Sequence, residues 1–295
     1  MSEDLLFMST WYERVRDLTI PARRIELDPG VEDLMLAMHL DALNVRLDPV
    51  KCVRIVKMFL ENERYRKLLD PLMNALSEEI ERCGAVFVRG DIVAPRDACR
   101  CWYYDYLEDA VRCGVSWLPN APDVCLVSNA VVGLALLVAS NDVIDLGVSF
   151  GRSNIVWIRP PRRLLYEMRI FVYGNVPRLV SWKSSELPRS LDDVVRVVRE
   201  RYLPLIEEVS QMLQASMYVA DVALVASRSN EAKAVVVDIA PFPGEDPFEG
   251  IDTDPLLYRG DFWNKLYEAV EKNAVLIRAP LRRTEVQEVV VELKA

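Results

Sequence analysis

Ala234-Val-Val-Val-Asp-Ile-Ala-Pro-Phe-Pro243 decides how this chain is read. Apolar, β-branched residues run up to one carboxylate, Asp238, and two prolines close the stretch. A buried strand that delivers a single acid to the rim of a sheet has this pattern. A second apolar run, Met217-Tyr-Val-Ala-Asp-Val-Ala-Leu-Val-Ala226, carries Asp221 in its middle. Ser227-Arg-Ser-Asn-Glu231 separates the two runs, so they are expected to pair as a hairpin. Taken singly, Asp238 reads as a strand-end acid opening a turn or as a metal ligand. Asp221 reads as a salt-bridged strand residue or as a metal ligand. Together on one hairpin they favour magnesium, which takes one or two carboxylates and completes its shell with phosphate oxygens and water.

A nucleotide also needs cations. The upstream candidates are Arg89, Arg159, Arg169 and Lys183, the last three in short strand-like contexts: Ile158-Arg159, Met168-Arg169-Ile170 and Trp182-Lys183. Glu167 and Arg169 are two apart and share a strand face. The residues alone favour an ion pair between these two over a grip on phosphate and ribose.

Outward from this region the chain mixes helices and hairpins. Ser9 or Thr10 caps a short amphipathic helix, and Ile20 to Leu27 is extended. Val31 to Leu43 is helical. Pro49 to Cys83 is strongly helical and is expected to break in two at Pro71, with Gly84 as the stop. Ala85 to Arg89 is a short strand, and Pro95 opens a helix to about Cys113. Val124 to Ser140 fits helix or strand, with strand favoured at its end. Ile155 to Arg159, Tyr166 to Tyr173 and Arg178 to Lys183 read as strands. Gly174-Asn175 suits a primed hairpin turn. Ser190-Leu-Asp-Asp caps a long helix to about Met217. A helix over 261–273 and a strand over 286–293 close the chain. Without regular β-α-β alternation this is α+β. No G-x-G-x-x-G or G-x-x-x-x-G-K-[ST] is present, which argues against Rossmann and Walker-type sites.

The bulk numbers set limits. The chain has 295 residues, 51% of them apolar, and a net charge of −9. That supports a large core and argues against a protein that grips nucleic-acid backbones, so direct nucleic-acid binding is not expected. Six cysteines without a C-x-x-C pair read as reduced thiols in a cytoplasmic protein. The single histidine, His39, lies in an apolar helix and reads as structural, which excludes a His-based triad. Met1-Ser-Glu-Asp-Leu-Leu-Phe does not read as a signal peptide. The longest apolar stretch, Ala130 to Ala139, is well short of the roughly 20 residues that span a bilayer. Scarce glutamine hints at a thermophilic source.

Several motifs in order resemble the cell division cycle protein 123 family, a branch of the ATP-grasp fold. Trp11-Tyr12 with Leu18-Thr-Ile20 looks like its opening. Val86-Phe-Val-Arg-Gly-Asp-Ile-Val-Ala-Pro-Arg-Asp-Ala98 is similar to its signature stretch, with Arg89 in place of an ATP-contacting lysine. Leu136-Leu-Val-Ala-Ser-Asn-Asp142 resembles its leucine-rich strand, with Ala139 replacing a lysine. Val156-Trp-Ile-Arg159 and Glu167-Met-Arg-Ile-Phe-Val172 resemble its hinge strand and the strand that follows. Val180-Ser-Trp-Lys183 stands for a Ser-Gln-Arg segment, so Trp182 takes the place of the glutamine. Asp221 matches the acid of an Asp-Val-Tyr strand. Asp238-Ile-Ala-Pro-Phe242 matches Asp-Phe-Asn-Pro-Phe, and Thr253-Asp-Pro-Leu-Leu-Tyr258 matches almost letter for letter.

The resemblance covers nearly the whole chain. It implies two α+β subdomains with mixed and antiparallel sheets enclosing a nucleotide cleft, divided here as 1–150 and 151–295. It implies ATP held by Arg89, Arg159, Glu167, Arg169 and Lys183, and magnesium held by Asp221 and Asp238. It further implies a non-enzymatic assembly chaperone for the gamma subunit of translation initiation factor 2. The family's magnesium-binding Asn is Ala240 here, and a methyl group cannot ligate a metal. Asp246 or Glu245, in the acidic 244–252 segment, is a substitute ligand or part of a solvated loop; the loop is the favoured reading. The alternatives are an ATP-grasp ligase forming an acyl phosphate and a binding module that has lost its nucleotide.

Overall fold

A computed structural model describes residues 5, 8–28, 30–91, 94–118, 121–140, 154–184, 186–226, 232–243, 256–258, 260–282 and 285–293. The expected turn at Ser227–Glu231, the 244–252 segment with Glu245 and Asp246, Thr253 to Pro255, and Asn141-Asp142 lie outside them. The chain forms two compact units. One is Pro21–Pro161; the other joins Met1–Ile20 to Arg162–Ala295, where the sequence division falls at 150/151.

In Pro21–Pro161, a three-stranded antiparallel sheet takes the order β1 (Arg23–Glu26), β5 (Ile155–Arg159), β2 (Phe87–Gly90). Ile25, Val88, Val156 and Ile158 enter the core of this unit. So do Met35 and Met38 of helix α1 (Val31–Asn44) and Leu69, Leu72 and Leu76 of helix α3 (Glu63–Cys83). Helix α2 spans Pro49–Glu61.

The long helical stretch therefore breaks at Asn62 and not at Pro71. The Asn62 side chain accepts from the Arg64 and Tyr65 amides, which starts α3 afresh. Pro71 sits inside α3. A proline costs a helix interior about 3 kcal/mol; the buried leucines on both sides of it offset that. Gly84, at φ 80, ends the helix as expected.

Helices α4 (Arg96–Asp105) and α5 (Leu107–Cys113) follow, then β3 (Val115–Leu118) and β4 (Ala121–Val127). The stretch favoured as strand at its end is instead helix α6, Ala130–Ala139. It is apolar on all sides and buried from Val132 onward, so it has no period to read. Its start is fixed by Asn129, whose side chain accepts from the Val131 and Val132 amides. A Cβ on Gly133 would stand 3.3 Å from both Leu76 and Val127, so a larger residue there would have to push those side chains aside by a few tenths of an ångström. His39 is fully buried, with Nδ1 2.7 Å from the Val138 carbonyl, in keeping with a structural role.

The cysteines are not all thiols. Cys99 on α4 and Cys125 on β4 are joined in a disulfide, their Cα atoms 5.6 Å apart. The packing of that helix on that strand brings together residues 26 apart in sequence. Cys52, Cys83, Cys101 and Cys113 remain thiols, and burial pushes Cys52 up to about 12.

The other unit is built on a six-stranded mixed sheet in the order β11-β10-β7-β6-β8-β9. Its strands are β6 (Leu164–Tyr173), β7 (Val176–Trp182), β8 (Met217–Ala226), β9 (Ala232–Ala240), β10 (Ala274–Arg282) and β11 (Glu285–Glu292). Every pairing is antiparallel except β10 with β7. Gly174 and Asn175, at φ 65 and 63, make the expected hairpin turn between β6 and β7. Strand β10 was not anticipated; Arg278 and Pro280 interrupt its apolar pattern.

Ser190 caps helix α7 (Leu191–Val197), which passes through a π turn at Val198–Tyr202 into α8 (Leu203–Leu213). Pro204, two residues past that turn, has no N–H to donate. The Tyr218 hydroxyl contacts Ser210 Oγ and the Ile206 carbonyl, so α8 covers one sheet face. On the opposite face Phe171, Leu179, Val219 and Leu276 pack against Phe262, Leu266 and Ala269 of helix α9 (Phe262–Glu271). The N-terminal residues join this unit through Arg14 to the Leu213 carbonyl, Lys233 to the Asp17 carbonyl, and a bridge between Thr19 and Val236.

Opening the disulfide should destabilise the protein by about 2–4 kcal/mol, the usual range for a loop of this length. Urea unfolding of wild type with and without reductant, beside a Cys99→Ser/Cys125→Ser variant, measures it. Alkylation of the unreduced, denatured chain should modify only the four remaining thiols.

Candidate functional site

The six-stranded sheet carries one polar row from edge to edge. Register pairs Glu288 with Arg278, Arg278 with Ser181, Ser181 with Arg169, Arg169 with Asp221, and Asp221 with Asp238. Residues directly opposite one another share a face, so these six side chains line up across six strands. Two residues along β10, β7, β6, β8 and β9, the same face holds Leu276, Leu179, Phe171, Val219 and Ala240, the apolar floor under α9. The row is where that floor ends.

Asp221 is its centre. Arg169 donates Nε to Oδ1 and Nη2 to Oδ2, both at 2.8 Å, and each side chain is only 3% exposed. Lys183 Nζ lies 2.5 Å from Asp221 Oδ2 and 3.2 Å from Glu167 Oε1. Burial by itself would raise the Asp221 carboxyl. The charges and hydrogen bonds of Arg169 and Lys183 overcome that and hold it well below the ordinary aspartate value of 3.8.

Asp238 is buried beside it on β9, with Oδ1 accepting from the Ile239 amide at 3.2 Å. A bulge after Asp221, where β8 meets β9, puts the two acids in opposition. Glu167 lies within a bulge on β6, between Leu165 and Met168, and its carbonyl accepts from the Lys183 and Ser184 amides. The ion pair expected between Glu167 and Arg169 is therefore replaced by two others. Cross-strand register gives Arg169 to Asp221, and Glu167 takes Lys183.

Arg89 and Arg159 belong to the Pro21–Pro161 unit. Arg89 pairs with Trp157 and Arg159 with Phe87, so both arginines project from one face of the three-stranded sheet, and both are nearly buried. Arg89 Nε donates to the Gly90 carbonyl, and Trp157 Nε1 donates to Asp91 at 2.7 Å. Ala139, where the resemblance sets a lysine, is buried in α6. Trp182, in the glutamine's place, donates to the Glu186 carbonyl and meets Tyr166 edge-on. Ser181, Arg278 and Asp261 were missed by the sequence reading. The signal for them was the hydrophilic Arg278 within an apolar run, but β10 itself went unread.

As a magnesium site the row has a suitable donor type, two facing carboxylates, with Lys183 and Arg169 as cations for phosphate. Among the described residues no group of three or more His, Cys, Asp or Glu side chains is placed to hold a metal ion. Asp221 already serves two cations, so Asp238 is the carboxylate better suited to a metal.

The fold is α+β, with helices packed on antiparallel and mixed sheets. Comparison with solved structures narrows this: Cdc123 from Schizosaccharomyces pombe has TM-score 0.56 at 18% identity, over 91% of this chain and 93% of that one. A C-terminally truncated Cdc123 from the same organism has TM-score 0.56 at 19% identity, over 90% and 92%. At these identities the likeness is one of fold, and the fold is Cdc123-like, as the motifs implied. No protein-family model matches the chain. No curated protein matches it either. Among the described residues no helix is long and apolar enough to cross a membrane.

Asp221→Asn should cost about 3–5 kcal/mol, because it leaves Arg169 buried without its counter-charge. The sign with pH follows from the depressed carboxyl. Its contribution is fully present above the ordinary aspartate range and is lost as pH falls below it. Urea unfolding from pH 7 downward should show that loss in wild type and a flatter profile in the variant.

Proposed function

We propose that this protein binds ATP with magnesium and serves as an assembly factor for the gamma subunit of translation initiation factor 2. The observation that carries the nucleotide half is the Lys183–Asp221–Arg169 cluster with Asp238 on the adjoining strand. The partner half rests on the Cdc123-like fold together with the motif resemblance.

In this reading the chain's residues divide their work. Asp221 orients Arg169 and Lys183; Lys183 meets phosphate oxygens, and Arg169 adds its charge from its fork with Asp221. Asp238 holds the metal, which supplies charge neutralisation between carboxylate and phosphates. Glu167 steadies Lys183. Binding is the whole activity; nothing in the assignment calls for an acceptor or for turnover. One observation favours a second reading, a binding module without nucleotide. Ala240 packs against the Phe171, Val219 and Phe242 cluster, so the position of the family's magnesium ligand belongs to the apolar floor.

Calorimetric titration of ATP, with and without magnesium, separates the two. The expected result is magnesium-dependent binding to wild type, weakened about tenfold or more in Asp238→Ala. No binding under either condition would leave the module reading. Capture of the purified gamma subunit at micromolar concentration, with ATP present, tests the partner; failure to capture it would end the assembly role.

A further inference from the structure

The polar row does not stop at Arg169. Ser181 lies next to it and Arg278 beyond, the latter about 10 Å from Arg169 at ordinary strand spacing. Arg278 makes five directed contacts. Nη1 donates to the Leu257 carbonyl at 2.9 Å and to Asp261 Oδ1 at 2.9 Å, and Nη2 donates to Asp261 Oδ2 at 2.6 Å. Nε donates to Glu288 at 2.7 Å, and the guanidinium lies 4.5 Å from the centroid of the Tyr258 ring. The same short segment is gripped twice more: the Leu257 amide donates to Ser181 Oγ at 3.1 Å, and the Tyr258 hydroxyl donates to the Leu276 carbonyl at 2.7 Å. Both backbone groups of Leu257 are thus held by neighbouring members of the row.

The location of this clip gives it a consequence. The parallel pairing of β10 with β7 covers three residue pairs and ends at Arg278 opposite Ser181. Past that point β10 no longer holds β7. Lys183 is two residues further along, tied to β6 through its amide and the Glu167 carbonyl. The clip closes the register on the side where β7 would otherwise be loose, immediately before the residue that touches Asp221.

We propose that Arg278 is a positioning residue for the nucleotide site: through Leu257 and Ser181 it fixes the end of β7 and so the placement of Lys183. This rests on the nucleotide reading above. Arg278 itself touches no ligand in this scheme, since Asp261 and Glu288 neutralise it.

The test compares magnesium-dependent ATP affinity, thermal stability and amide hydrogen exchange for wild type and three variants. Arg278→Met removes the clip, and Ser181→Ala removes only its Leu257 contact, a smaller change that keeps the fold if the first variant does not. Glu288→Gln is the control, since it weakens an Arg278 ion pair and leaves Leu257 held. Arg278→Met should lower ATP affinity about tenfold. Ser181→Ala should act in the same direction, with faster exchange at the Leu257 and Lys183 amides in both. Glu288→Gln should change stability alone. Wild-type affinity in Arg278→Met and Ser181→Ala would overturn the inference and leave the nucleotide reading intact. An equal loss in Glu288→Gln would overturn it too, by showing general destabilisation. If wild type binds no ATP, the nucleotide reading fails and carries this one with it.

Discussion

A carboxylate at the middle of a six-stranded sheet is tolerable only because two cations close on it. Removing an aspartate from water costs several kcal/mol. Asp221 recovers that cost through a two-point fork from Arg169 and a third contact from Lys183. The arrangement needs three strands in fixed register, β7, β6 and β8. The hairpin at Gly174-Asn175 and the bulges on β6 and β8 supply it. A one-residue slip would turn the apolar floor under α9 and the Asp221 cluster alike to the other face, so the two fix the register together.

The same cluster sets the electrostatics of the rim. Glu167, Asp221 and Asp238 oppose Arg169 and Lys183, so the five groups carry one net negative charge. Lys183 is the movable member, 20% exposed and divided between Asp221 and Glu167, whereas Arg169 is locked and buried. Of the two cations, Lys183 is the one able to turn towards a ligand without opening the core.

Much of this was legible in residue order. Runs of β-branched residues gave β8 and β9, and Gly-Asn gave the hairpin turn. The period of two correctly set Glu167 and Arg169 on one face. It could not say whom they meet, because partners are chosen by cross-strand register, and bulges set the register here. The helix at Ala130–Ala139 was unreadable for a different reason: a segment buried on all sides has no amphipathic period, and only its Asn129 cap marks it as helical. Pro71 misled because a local penalty was outweighed by tertiary burial of Leu69 and Leu72. The Cys99–Cys125 bond had no local signal, since its partners meet only once α4 lies on β4. Ser181 and Arg278 became visible as members of the site only when the parallel pairing of β10 with β7 placed them in the row.

Ala240 shows how packing and site compete for one position. It follows Asp238 by two residues on the same face and lies opposite Val219, against Phe171 and Phe242. An asparagine there would press an amide into that floor and would need partners the aromatic cluster does not offer. Alanine instead extends the apolar floor up to the edge of the row, and Phe242, the next residue but one, continues it in ring contact with Phe171 and Phe262. The polar row in this chain is therefore narrower at β9 than the motif comparison implies, ending at a single carboxylate. A metal held there would draw the rest of its shell from phosphate and water, a shell that magnesium accepts readily.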